Sequence, residues 1–128
     1  MAWREYNPNP VNRVVGDCAV RAVSAALGVD WETAYLMIVK NGYQMADMPS
    51  SNAVWGAVLR QNGFYRTAIP DLCSDCYTAA DFASDHPRGV YVLGFGNHVA
   101  TVIDGDIYDS WDSSQEIPQY VWYRKDDH

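Results

Sequence analysis

Cys18 follows Gly16-Asp17 directly and opens a segment whose apolar residues Val20, Val23 and Leu27 recur at helical spacing. A thiol at a helix start faces unpaired backbone amides and the positive end of the helix dipole, and both favour the thiolate. A thiolate available at neutral pH is a nucleophile. The same position also suits a small buried residue that merely begins an amphipathic helix. Arg21, one turn on, either adds to the field at the thiol or pairs with a carboxylate. A nucleophilic cysteine needs a base, and the histidines are His86, His98 and His128. His128 ends the sequence and His86 precedes Pro87 in a loop, whereas His98 opens the apolar run from Val99 to Ile103 and so has a strand end as its mount. Asp104-Gly105 is a two-residue hairpin signal that sets His98 opposite Trp111. Asp109 then falls on the same face as His98, two residues along the partner strand. A carboxylate there accepts the second imidazole N–H and fixes the tautomer.

The elements that must hold these groups are readable from punctuation and period. Residues 1–15 carry prolines and no helical period, which predicts an extended arm. Asp17 is placed to cap the first helix and Gly28 to end it. Asp30 caps a second helix, Trp31 to Lys40, with Glu32 in its first turn and Gly42 after its end. Ser50 or Ser51 caps a third, from about Asn52 to Gln61, closed by Gly63. A strand at Phe64 to Ile69, a Cys73-Ser74-Asp75-Cys76 loop and a short helix opened by Thr78 follow. After Pro87-Arg88-Gly89 the pattern turns to strands at Val90 to Phe95, His98 to Ile103, Ile107 to Trp111 and Gln119 to Tyr123. Helices first and an antiparallel sheet afterwards make an α+β class, and residues 125–128 read as a polar tail.

Composition narrows the function classes. The 128 residues are 48% apolar, 13% aromatic and 20% charged, which suits one folded domain over 1–128 and excludes disorder for most of the chain. Sixteen acidic against nine basic side chains give a net charge of -7, and the pI is near 4.6. That field repels nucleic acid and anionic membranes, and no basic patch offsets it. The longest uncharged stretch, Gly89 to Ile103, is too short to span a bilayer. Without a signal-like start, and with three unevenly placed cysteines, a reducing cytoplasm is the expected compartment. Cys73 and Cys76 have the spacing of half a zinc site, with His86 and one of Asp75, Asp81 or Asp85 to complete it. A surface loop with reduced thiols is the simpler reading. The aspartates at 104, 106, 109 and 112 lack the glycine and glutamate of a calcium loop, so neither metal nor cofactor is expected.

Asp109-Ser110-Trp111 resembles the Asn-Ser-Trp motif of papain-like cysteine peptidases, and Gly16-Asp17-Cys18-Ala19-Val20-Arg21-Ala22 resembles the start of their first long helix. The order cysteine, histidine, Asn/Asp is the same. Aspartate at the third position is shared with small bacterial relatives such as the NlpC-like enzymes. The resemblance implies a papain-like fold with N-terminal helices packed on a C-terminal antiparallel sheet. It further implies a Cys18-His98-Asp109 triad, Trp111 shielding the His98–Asp109 bond, and Asn12, six residues ahead of Cys18, in the oxyanion hole where the family carries glutamine. The implied activity is hydrolysis of an amide or isopeptide bond in a protein or peptide through a thioester, in an intracellular bacterial or phage setting. Acyl transfer of the transglutaminase kind uses the same triad, and a binding or assembly protein that keeps the fold without turnover is the other alternative.

Overall fold

The computed structural model describes residues 2–70 and 77–124. The Cys73 to Cys76 loop, the 125–128 tail and His128 lie outside the described residues. Ten elements run in the order β1 (Ala2–Glu5), α1 (Cys18–Leu27), α2 (Trp31–Met45), α3 (Asn52–Gln61), β2 (Phe64–Ala68), α4 (Ala79–Asp85), β3 (Val90–Gly94), β4 (Val99–Ile103), β5 (Asp106–Asp109) and β6 (Tyr120–Arg124). The strands form one sheet in the order β1-β5-β4-β3-β6-β2, so the class is α+β, with four helices and six strands among the described residues.

Local chemistry explains most boundaries. Gly28 takes a left-handed φ of 67° and returns its N–H to Ser24, the usual helix stop. The Asp30 carboxylate accepts from Thr33 N–H at 2.7 Å at the start of α2, and Thr78 with Asp81 forms a full capping box at α4. Asp104 and Gly105 both have positive φ, the type I′ geometry that matches strand twist. The resulting register pairs Thr101 with Tyr108 and Ile103 with Asp106.

Three expectations need correction. The sheet is mixed, because residues 2–5 of the arm form a strand that pairs parallel with β5, Glu5 opposite Asp109. Four residues ahead of two prolines carry no usable period, and only the free edge of β5 makes them a strand. Helix α2 runs past Gly42 to Met45 and ends on Ala46 in the left-handed region, φ 53°. Gly42 is there for space: a Cβ would lie 3.0 Å from the Asp47 carbonyl oxygen where the chain doubles back. Asp17 stands at the N-cap of α1 without capping it, because its carboxylate is taken by two side chains described below.

Strand alternation builds two cores. Val92, Val99, Tyr120 and Trp122 face α1, α2 and α3. Tyr91, Leu93, Ala100, Val102 and Val121 face α4, through Phe82 and Ala83. Thr101 is fully buried on the first face and donates from its hydroxyl to the Ala22 carbonyl at 2.9 Å, tying β4 to α1 where the site lies. Among the described residues no single helix is long and apolar enough to cross a membrane.

Candidate active site

Cys18 is the first residue of α1 and half-buried. The His98 side chain and the Val99 backbone stand close enough to its thiol to lower its pKa, so the helix start and the start of β4 meet at this side chain. A hydrogen bond from Phe95 N–H to the His98 carbonyl closes the turn that sets His98 at the strand end. The imidazole lies between two rings, Phe95 with centroids 5.9 Å away and Trp111 at 4.9 Å. Trp111 is itself exposed.

Nε2 of His98 lies 2.6 Å from Oδ2 of Asp109, which leaves Nδ1 as the ring nitrogen for Cys18. Asp109 is 0% exposed. Its Oδ2 also accepts from the Ser113 hydroxyl at 2.7 Å, and Oδ1 accepts from Ser110 N–H at 2.7 Å. Arg21 Nη2 stands 3.3 Å from the same Oδ1, while Nη1 donates to Asp17 Oδ1 at 2.7 Å. Asp17 Oδ2 accepts from the Trp31 indole at 2.8 Å. A continuous polar chain therefore runs from Trp31 through Asp17, Arg21, Asp109 and His98 to Cys18. The arm strand supports it, since the Asp109 carbonyl accepts from Tyr6 N–H at 2.8 Å and from the Trp3 indole at 3.2 Å.

The electrostatics of the pair follow from these contacts. Burial pushes the Cys18 thiol up, but the hydrogen bonds from His98 and Val99 and the charges of His98 and Arg21 outweigh it, so Cys18 ionises below an ordinary thiol. Burial likewise pulls His98 down, and the Asp109 hydrogen bond, the Cys18 hydrogen bond and both charges overcome that, so its pKa is pushed up to about 9. The two shifts act in the same sense, each favouring a thiolate beside an imidazolium over the neutral pair. The sign for stability follows: a histidine raised on folding contributes fully below its unfolded value near 6.5 and loses that contribution as pH rises through about 9. Asp109→Asn, which keeps the shape and removes the charge, is expected to move the His98 titration from about 9 toward 6.5. The check is the pH dependence of the His98 Hε1 proton resonance; a midpoint left near 9 would remove Asp109 as the charge partner.

The structure brings together Cys18, His98, Asp109 and Trp111. It sets Asn12 apart, on an exposed turn at φ 56°, with its side-chain oxygen 3.4 Å from Asn7 Nδ2 and outside the cleft beside Cys18. His86 is elsewhere, stacked on Phe82 at the end of α4 with Nδ1 2.8 Å from the Phe82 carbonyl oxygen. The four aspartates separate as well: Asp104 receives Gly89 N–H, Asp106 pairs with Arg4 and Asp112 receives Ser114 N–H. Among the described residues no group of three His, Cys, Asp or Glu side chains is placed to hold a metal ion. Sequence reasoning missed Ser113, Phe95 and the second carboxylate of Arg21; only the spacing of Asp17 from Arg21, one helical turn, carried a signal.

In front of Cys18 lies a cleft of about 560 Å³. The N-terminal turn of α1 and the Phe95 to His98 turn form one side, and Trp31 and Tyr35 of α2, stacked at 4.9 Å, form the other. Tyr120 completes the wall, its ring lying over Gly94, where a Cβ would come within 1.9 Å of it. Burial raises the Tyr120 hydroxyl, Arg66 opposes and the Cys18 charge adds to it, which puts the ring within electrostatic reach of the Cys18 sulfur. A largely apolar cleft with polar groups converging at one end is the usual form of a small-molecule or peptide site. No protein-family model, curated protein or solved structure matches this chain.

Proposed function

We propose that the protein is a papain-like cysteine hydrolase that cleaves an amide bond in a peptide or protein. The reading is carried by one observation: the Cys18 thiol stands beside an imidazole whose other nitrogen is held, at 2.6 Å, by a buried aspartate. His98 Nδ1 takes the thiol proton, and the Cys18 sulfur attacks the carbonyl carbon of the substrate. The C=O bond becomes an oxyanion beside the N–H groups of the first turn of α1, which have no preceding carbonyl to bond. Collapse of this intermediate breaks the C–N bond as the imidazolium gives its proton to the leaving amine. Water then attacks the thioester, His98 accepts its proton, and the carboxylic acid departs with the thiol restored. Asp109 holds the ring and balances its positive charge throughout, and Trp111 keeps water from their hydrogen bond. Asn12 has no part in these steps.

A substrate-free test addresses the activated pair directly. Iodoacetamide at pH 5 to 6 is expected to alkylate Cys18 faster in the native protein than in the same protein unfolded in urea, with the modified residue read by mass spectrometry. The reading fails if folding gives Cys18 no advantage or slows it, because burial alone raises a thiol and protects it.

A further inference from the structure

A second cavity, of about 230 Å³, adjoins the cleft and shares Asn52, Trp55 and Tyr120 with it as common walls. Its remaining polar lining is Arg60, Arg66 and the Trp122 indole. Both charged residues of the lining are thus arginines, in a chain of net charge -7 with nine basic side chains in all. The Arg60 guanidinium stacks over the Trp122 ring at 5.1 Å and that of Arg66 over the Tyr120 ring at 4.2 Å. Stacking occupies the guanidinium faces and fixes the planes, leaving the N–H edges to a ligand. Neither arginine forms an ion pair with a carboxylate among the described residues. Trp122 is 2% exposed, and its N–H has no hydrogen-bond partner among the described residues. The β2–β6 register, which sets Arg66 opposite Trp122, holds the group together. The two guanidinium groups give this wall positive charge with no carboxylate set against it among the described residues.

We infer that this cavity is a carboxylate subsite of the catalytic cleft, and that the substrate is a peptide with an acidic group near the bond to be cleaved. The inference rests on the hydrolase reading above. The apolar cleft takes the body of the peptide and leads past Tyr120 to the two arginines. A planar carboxylate matches the forked edge of a guanidinium and accepts from both of its N–H groups. Glutamate is then distinguished from glutamine by charge at nearly constant shape.

The test is protection of Cys18 from iodoacetamide in the wild-type protein by capped neutral pentapeptides in which one glutamate is moved through the positions, each compared with its glutamine twin. At one position the glutamate peptide is expected to protect at about a tenth of the concentration or less, as charge-assisted hydrogen bonds imply. Arg60→Gln and Arg66→Gln are each expected to reduce that advantage to less than about twofold, both peptides being compared on the same variant. A neutral pentapeptide with a free C-terminus, set against its amidated twin, reports whether a chain-end carboxylate reaches the same arginines. The inference is overturned if no carboxylate gives an advantage at any position, or if the advantage survives both substitutions. Slow alkylation of Cys18 without peptide would instead overturn the hydrolase reading.

Discussion

His98→Ala is expected to slow iodoacetamide alkylation of Cys18 at pH 5.5 at least severalfold, with two opposing effects setting the size. An ordinary thiol with a pKa of about 8.5 is about 0.1% ionised at that pH, so full ionisation raises the reactive fraction up to about 10³-fold. A thiolate of lower basicity is also a weaker nucleophile, and a Brønsted slope of about 0.4–0.5 takes back about threefold for each pKa unit, less than the roughly tenfold gained in ionised fraction. The ionised fraction wins, and its loss is what the variant should reveal. Removing His98 deletes both the hydrogen bond to the sulfur and the nearby positive charge. Val99 and Arg21 remain, set against burial, the largest single influence on the thiol, so most of the advantage over the unfolded chain should be lost. Above pH 9 the order should reverse, because an ordinary thiol is then largely ionised unaided and its thiolate is the stronger nucleophile. Equal rates at pH 5.5 would mean that the helix start alone activates Cys18, and the triad would lose its base.

The candidate site was legible where single residues carry strong local signals. Gly16-Asp17-Cys18 announces a helix start and Gly28 its end. Asp104-Gly105 sets a hairpin whose register brings Asp109 to the face of His98, and that register is the one observed. What sequence could not disclose depends on atoms distant in the chain. Residues 2–5 become a strand only because β5 presents an open edge, and they then hold the Asp109 backbone. Gly42 looks like a helix stop but serves the close approach of Asp47. Asp17 has the right type and place for a cap, yet Arg21 and Trp31 compete for its oxygens; an ionic partner outbids a backbone amide. Asn12 has the right offset from Cys18, but the left-handed turn of the arm holds it away from the cleft. Arg60, Arg66 and Trp122 are scattered through α3, β2 and β6 and carry no shared motif. Their convergence comes from the pairing of β2 with β6.

Arg21→Met should destabilise the fold by about 3–5 kcal/mol in urea unfolding, the usual cost of removing one partner from a buried ion pair. Against a typical total of about 5–15 kcal/mol, that is a large share. Arg21 is 5% exposed and stands between two buried carboxylates, 2.7 Å from Asp17 and 3.3 Å from Asp109. Methionine fills much of the same volume, so the loss reports charge more than cavity. Both carboxylates keep other donors, Trp31 for Asp17 and Ser110, Ser113 and His98 for Asp109. Those donors are neutral apart from His98, which therefore becomes the one cation left beside Asp109. Arg21→Lys should fall between this variant and the wild type, since an ammonium keeps the charge but cannot reach both aspartates with a rigid fork. If Arg21→Met instead loses less than about 1 kcal/mol, the guanidinium is not what balances the site. The thiolate–imidazolium pair would then have to rest on Asp109 and the helix start without support from Arg21.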